Sequence, residues 1–157
     1  MKYIYFYETA IGKVGIAEDG QGITNVYFPE ETPAEDLKEF ETELLQEASQ
    51  QLQDYFAGKR KDFTVPLSPT GTEFMQNVWK ALTAIPYGET RSYKDIAEAI
   101  ANPKAVRAVG MANNRNPLPI FIPCHRVIGI NGKLVGYGGG LPIKEQLLAL
   151  EKQHGNI

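Results

Sequence analysis

The chain has 157 residues, of which 43% are hydrophobic and 22% charged, and this balance is typical of a globular protein rather than a disordered one. No apolar run approaches the ~20 residues that cross a bilayer, and the first residues alternate like a strand instead of resembling a secretory leader. The single cysteine excludes an internal disulfide, so we expect a protein of the cytoplasm.

The charge is divided unevenly along the chain, although the net charge is only −3. Residues 1–67 contain 13 acidic and 6 basic residues, whereas residues 68–157 contain 6 acidic and 10 basic residues. This asymmetry favours a scaffold half joined to a half that binds a polyanion. One acidic helix and chance explain it equally well, because residues 30–47 alone carry 8 of the acidic residues.

The first half predicts a small antiparallel sheet with one helix packed on it. Residues 2–8, 13–17 and 23–28 have strand patterns, separated by glycine-containing turns. Apolar residues at spacings of three or four predict a helix over 33–57, with Gly58 as its C-cap. These apolar residues are Leu37, Phe40, Leu44, Ala48, Leu52, Tyr55 and Phe56. A last short strand is predicted over residues 63–67, and residues 68–71 are expected to link the two halves.

The second half is predicted to be helical. Thr70 and Glu73 have the spacing of a capping box for a helix over 73–84, whose inward face holds the apolar residues Phe74, Val78, Trp79 and Leu82. Ser92 and Asp95 repeat this spacing and open a helix to about Ala101. A last helix, opened by Pro142, is expected to carry Glu151.

A helix-turn-helix pair is predicted just before the middle of the second half. Asn102 followed by Pro103 favours an N-cap and the first residue of a helix that ends near Asn113. This second helix carries Arg107 among small side chains, which allow a helix backbone to approach a surface closely. A packed core helix has the same pattern, because a major-groove reader usually carries more Asn, Gln or Arg.

The residues around Cys124 carry the chemistry. Pro123 fixes a bend just before the cysteine. His125 and Arg126 follow directly, so the thiol lies near side chains that can lower its pKa or accept its proton. A glycine-rich stretch over residues 136–140 follows. A lone cysteine in an apolar setting is more often a small buried hydrophobe, and a Cys–His pair also occurs in many unrelated enzymes.

The sequence Pro-Cys-His-Arg-Val over 123–127 resembles the active-site signature of the O6-alkylguanine–DNA alkyltransferases. Four further stretches follow the same family in order and spacing, so the resemblance covers roughly residues 68–152; they are 86–93, 102–110, 116–119 and 138–144. The resemblance implies an α+β protein with two domains. These are a ribonuclease H-like domain over 1–67 and a winged helix-turn-helix domain over 68–157 that binds DNA and holds the active site.

The family's activity implies irreversible repair of O6-alkylguanine, and of O4-alkylthymine, in duplex DNA by a monomer that needs no cofactor. Cys124 would accept the alkyl group after His125, acting through a water and paired with Glu151, has taken its proton. Tyr93 would protonate the departing guanine. Because the thioether product is stable, one molecule would perform one transfer.

The resemblance also implies how the damaged base is reached. The nucleotide is rotated out of the duplex from the minor-groove side, and Arg107 fills the gap that it leaves. The other DNA contacts implied are Ala108, Tyr93, Ser92, Asn102 and Arg115. The implied pocket consists of Asn116, Val127, Leu134, Tyr137 and Gly138, and family members often have serine or alanine where Gly138 stands, so a roomier pocket is a hypothesis here.

Two alternatives remain for the function, and one metal site is excluded. A relative that only flags lesions would bind without transfer, and a cysteine hydrolase would use the same Cys–His pair but turn over repeatedly. Some family members hold zinc in the N-terminal half. Four ligands cannot be assembled here from Cys124, His125 and His154, so we expect no metal.

Overall fold

The computed structural model describes residues 1–129 and 139–155. The chain divides into two compact units, Met1–Thr70 and Gly71–Ile157. Within the described residues no helix is long and apolar enough to span a membrane. The same residues contain no group of three or more His, Cys, Asp or Glu side chains placed to hold a metal ion.

The first unit contains a four-stranded sheet of order β3-β2-β1-β4. Its strands are β1 (Tyr3–Thr9), β2 (Gly12–Glu18), β3 (Ile23–Tyr27) and β4 (Lys38–Glu39). The first three are antiparallel, as predicted, but β4 pairs with β1 in parallel. Gly12 takes a φ of 104°, a left-handed value that glycine adopts without steric cost, where the β1–β2 hairpin closes.

The one helix of this unit, α1 (Glu43–Phe56), is shorter than predicted because it begins at Glu43 and not near residue 33. The backbone N–H groups of Lys38 and Phe40 instead donate to Lys2 and Ile4, so strand pairing overrides the helical pattern there. Thr42 caps the helix by accepting a hydrogen bond from the backbone of Leu45. Phe40, predicted to be in the core, is 56% exposed. Gly58 follows the helix with the left-handed φ of 76° expected of a C-terminal glycine.

The predicted strand over residues 63–67 is a single bridge between Leu67 and Ile23. Pro66 has no N–H to donate, which prevents a regular ladder. The carbonyl of Pro66 accepts from the Ile23 amide at 2.8 Å. The side-chain amide of Gln51 on α1 holds the same segment with two hydrogen bonds. Its nitrogen donates to the Thr64 hydroxyl at 2.7 Å, and its oxygen accepts from the Thr64 backbone N–H at 3.0 Å.

The second unit contains four helices and a pair of two-residue strands among its described residues. They are α2 (Glu73–Thr83), β5 (Arg91–Ser92), α3 (Tyr93–Ala99), α4 (Val106–Asn114), β6 (Val127–Ile128) and α5 (Leu141–His154), with one 3-10 turn over Cys124–Arg126. The strands pair in parallel. Val78, Trp79 and Leu82 of α2 are buried as predicted, and the Trp79 indole donates to the carbonyl of Ala112 on α4 at 2.9 Å.

The helix boundaries of this unit are partly as predicted. The Ser92–Asp95 capping box is present on α3. The cap of α2 is Thr72, not Thr70, because the Thr72 hydroxyl accepts from the backbone of Met75. The prediction for Asn102 was wrong: its carbonyl closes a turn by accepting from Ala105, and α4 begins only after that turn.

Candidate active site around Cys124

The cysteine lies at the end of a tight turn. Pro123 has φ −79° and ψ 64°, and the Cys124 amide donates to the Ile122 carbonyl at 2.8 Å, which together define an inverse γ-turn. The same carbonyl accepts the Asn116 side-chain amide at 2.8 Å. Two donors on one carbonyl oxygen fix the position of the peptide that precedes the nucleophile.

Asn116 joins this turn to the end of the helix pair. Its side-chain oxygen accepts from the Leu118 amide at 2.9 Å while its nitrogen donates to Ile122. Between these anchors, buried Ile120 has a φ of 77°, a conformation that is rare for β-branched residues. Such strain persists only where the surrounding contacts determine the backbone, so the turn is rigid.

The thiol of Cys124 is enclosed, with 4% of the residue exposed. Burial raises the pKa of Cys124 to about 11, while a hydrogen bond from Asn116 and the charge of Lys144 act in the opposite direction. The expectation that Arg126 lowers this pKa is wrong, because Arg126 is directed to Glu151. The groups that favour the thiolate therefore come from Asn116 and from α5.

Lys144 lies in the site, although no role was predicted for it beyond its place in the motif over 138–144. It is fully buried and its Nζ donates to the carbonyl of Val127 at 2.6 Å. Desolvation lowers the pKa of Lys144, and the proximity of Cys124 raises it. Lys144 is identified as a site residue by its burial and by its electrostatic interaction with Cys124. The burial of a lysine cannot be read from the sequence.

Glu151 of α5 is the centre of a buried network. Its Oε2 lies 2.6 Å from His125 Nε2, and Arg126 donates to both carboxylate oxygens, from Nε at 2.8 Å and from Nη2 at 3.0 Å. The backbone N–H of Gly88 adds a bond of 3.2 Å. Burial alone raises the pKa of Glu151, but the hydrogen bonds and charges of His125 and Arg126 outweigh it and lower the pKa to about 2.

His125 is completely buried beside this carboxylate. Burial lowers the pKa of His125 most strongly; Glu151 raises it, and the charge of Arg126 lowers it further. Since Glu151 shares its negative charge with Arg126, the carboxylate does not hold an imidazolium, and the ring is neutral at neutral pH. With Nε2–H directed to Glu151, Nδ1 is the basic nitrogen that can accept a proton.

Tyr93 is the first residue of α3 and its ring lies against α4. A methyl group built on Gly110 would lie 3.9 Å from two ring carbons of Tyr93, an ordinary van der Waals distance, so the ring lies beside this part of α4. Burial and then the charge of Cys124 raise the pKa of Tyr93, whereas a hydrogen bond from Asn113 lowers it. Tyr93 therefore lies within reach of the charge of Cys124.

The residues predicted to contact DNA are distributed over α3 and α4. Arg107, Ala108 and Arg115 are exposed on one side of α4 or directly after it, and Met111 between them is 53% exposed. No acidic residue occurs in α4. Ser92 is engaged as the cap of α3 and Asn102 is exposed in the turn between the helices.

The predicted pocket residues are only partly described. Asn116 donates to the Ile122 carbonyl of the cysteine turn, and Val127 follows that turn and accepts from Lys144 through its carbonyl. Leu134, Tyr137 and Gly138 lie outside the described residues.

Two family descriptions match the chain. Residues 1–69 match the ribonuclease-like domain of 6-O-methylguanine DNA methyltransferase, and residues 73–153 match the DNA-binding domain of the same family. The chain is 53% identical over 152 residues to the methylated-DNA–protein-cysteine methyltransferase of Methanosarcina acetivorans, covering 95% of this chain and 97% of the relative. It is 52% identical over 159 residues to the constitutive form of that protein from Bacillus subtilis, covering 97% and 96%.

Solved structures give the same similarity. The Mycobacterium tuberculosis O6-methylguanine methyltransferase has a TM-score of 0.90 at 46% identity, covering 98% of this chain and 94% of the other. The Mycobacterium tuberculosis OGT in complex with DNA has a TM-score of 0.92 at 47% identity, covering 97% and 94%.

Proposed function

Because the chain belongs to the 6-O-methylguanine DNA methyltransferase family, we propose that it repairs DNA by transferring the alkyl group of O6-alkylguanine to Cys124. The observation that carries this proposal is the arrangement of the only cysteine of the chain. It sits in a rigid turn next to a buried, neutral His125 that is paired with Glu151. This is a nucleophile, a base and a group that orients the base.

The transfer step follows from these residues. His125, acting through a water, removes the thiol proton, and the sulfur then attacks the alkyl carbon of the lesion. A carbon–sulfur bond forms, the bond from that carbon to O6 breaks, and its electron pair remains on the guanine. The Tyr93 hydroxyl gives its proton to the departing base, which is otherwise a poor leaving group.

Access to the lesion is assigned to the helix pair α3–α4. A stacked base cannot present O6 to an enclosed thiol, so the nucleotide must be rotated out of the duplex. Arg107 fills the gap in the stack, and Ala108 and the exposed basic residues beside it allow close approach to the backbone phosphates. O4-alkylthymine, whose alkyl group is held in the same way, is the second substrate.

The protein acts once, as a monomer and without a cofactor, since the alkyl donor is the damaged DNA itself. The thioether that forms on Cys124 has no thiolate left to attack a second lesion. We place this activity in the cytoplasm, where a reducing environment preserves a single thiol.

Intact mass measured after incubation with a short duplex containing O6-methylguanine tests the proposal. We expect a gain of about 14 Da, the mass of one CH₂, on the peptide that contains Cys124, saturating at one per molecule. Cys124→Ser should show none. Tight lesion binding without a mass gain would instead identify a flagging protein, and repeated turnover with an unmodified thiol would identify a hydrolase.

A further inference from the structure

Asn113, in the last turn of α4, is a buried polar residue that none of the steps above uses. It is only 2% exposed, and its side-chain oxygen has no hydrogen-bond partner among the residues that the structure describes. A buried acceptor without a donor destabilises the folded state, so an apolar side chain would serve packing better. The presence of an amide at this position therefore needs another explanation.

The position of Asn113 supplies that explanation. The ring of Tyr93 lies against Gly110, which is three residues earlier on α4 and hence on the same side of the helix. The side-chain amide of Asn113 is close enough to the Tyr93 hydroxyl to lower the pKa of Tyr93 as a hydrogen-bond donor. The helix α4 thus places Gly110 beside the Tyr93 ring and the Asn113 amide near the Tyr93 oxygen.

We propose that Asn113 is a positioning residue that aims the Tyr93 hydroxyl and stabilises the phenolate formed when Tyr93 gives its proton to the departing guanine. This inference rests on the function proposed above. The proton passes from the Tyr93 oxygen to the base as the bond between the alkyl carbon and O6 breaks. The negative charge that began on sulfur therefore ends on the tyrosine oxygen, where the amide N–H faces it.

The charges around Tyr93 give this transfer an order in time. Burial and the charge of Cys124 both raise the pKa of Tyr93, so the hydroxyl keeps its proton while the sulfur is a thiolate. Alkylation neutralises the sulfur and removes one of these two effects. The hydrogen bond from Asn113, which lowers the pKa, then opposes burial alone.

The test compares Asn113→Leu with Asn114→Leu, a substitution of the same residue type at the next, exposed position of α4. Transfer from O6-methylguanine in a saturating duplex is measured under single-turnover conditions. We expect Asn113→Leu to slow it roughly 10- to 100-fold, the effect of losing a hydrogen bond to a charged group, and Asn114→Leu to change it less than about 3-fold. Equal rates for Asn113→Leu and the unchanged protein would overturn the proposal.

A second reaction separates this role from a structural one. Methyl iodide methylates Cys124 with iodide as the leaving group, which needs no proton. Asn113→Leu should therefore leave this rate unchanged, whereas a displaced cysteine turn would slow both reactions and overturn the proposal. In a Tyr93→Phe background Asn113→Leu should add less than about 2-fold, because the group it supports is gone; additive effects would refute the coupling.

Asn113→Asp covers the case in which the leucine variant does not fold. It keeps the volume of the side chain but places a carboxylate opposite the developing phenolate, so we expect at least as large a loss of transfer with methylation by methyl iodide retained. Normal transfer by this variant would contradict the proposal. If the unchanged protein itself transfers nothing, the proposed function fails, and that outcome is distinct from all of these.

Discussion

At the scale of single residues, the site depends on groups that offset the burial of charge. Burial raises the pKa of the Cys124 thiol to about 11, and Asn116 and Lys144 oppose it. The sequence and its resemblance predicted Cys124, His125, Glu151 and Tyr93. They did not predict that Lys144 lowers the pKa of Cys124, because nothing in a sequence shows that a lysine is fully buried.

Replacing this lysine should weaken the nucleophile. Lys144→Met keeps the length and packing of the side chain but removes the charge that favours the thiolate, so the pKa of Cys124 should rise further. We expect methylation of Cys124 by methyl iodide at pH 8 to slow by roughly 10-fold or more, since one pKa unit changes the thiolate fraction tenfold. Lys152→Met, an exposed position on the same helix, is the control, and equal rates for the two variants would contradict this account.

At the scale of elements, local capping signals predicted helix starts better than apolar spacing did. The Ser92–Asp95 box was correct because both partners lie within one turn of α3. The long helix predicted from residue 33 was wrong because the segment around Lys38 pairs with β1, a contact between residues distant in sequence. Asn102 failed for a related reason, since it closes a turn instead of opening a helix.

The caps of α1 and α2 should differ in strength although both are threonines. The Thr42 hydroxyl accepts from Leu45 and also donates to the buried carboxylate of Glu18 at 2.6 Å, whereas Thr72 makes only the cap bond among the contacts described for it. We expect Thr42→Ala to lower the free energy of unfolding by about 1–2 kcal/mol and Thr72→Ala by about 0.5–1 kcal/mol. Urea unfolding monitored by circular dichroism measures both, and the reverse order would show that the bond to Glu18 adds nothing.

At the scale of the whole molecule, the division into a sheet-bearing half and a helical half was readable from hydrophobic periodicity. The identity of the folds came only from the resemblance, because periodicity does not determine how elements pack. Of the buried network around Glu151, the resemblance implied the pairing with His125, but the bonds from Arg126 and Gly88 were beyond both. This network joins residues of the cysteine turn, the loop after α2 and α5, which are far apart in the sequence.

Breaking this network should cost far more than breaking an exposed ion pair. Arg126→Met leaves the carboxylate of Glu151 buried without its bidentate partner, for which we expect a loss of about 3–5 kcal/mol in the free energy of unfolding. The control is Arg91→Met, because Arg91 pairs with Glu89 at the surface at 3.1 Å and such pairs contribute less than about 1 kcal/mol. Similar losses in the two variants, measured by urea unfolding, would refute the importance of the buried pair.

The same network predicts how stability depends on pH. The pKa of Glu151 falls from its ordinary value of 4.5 to about 2 in the folded protein, so the unfolded chain binds a proton at this residue more readily. Its contribution to stability is therefore complete above pH ~4.5 and is lost as the pH falls towards ~2. Unfolding midpoints between pH 6 and 2 should decline across this window. Glu151→Gln should remove part of the decline, and an unchanged slope in that variant would assign it to other carboxylates.

The enclosure of Cys124 also determines how well an unused molecule survives storage in the cell. Because burial raises the pKa of Cys124 to about 11, little of the thiol is ionised at neutral pH, and peroxides and stray electrophiles react with thiolates rather than thiols. An enzyme that regenerates its nucleophile can act again, but a protein that reacts only once is permanently inactivated when its cysteine reacts with another electrophile. Low intrinsic reactivity is thus a safeguard: the cysteine stays dormant until a damaged base is docked against it, and few molecules are wasted before they meet a lesion.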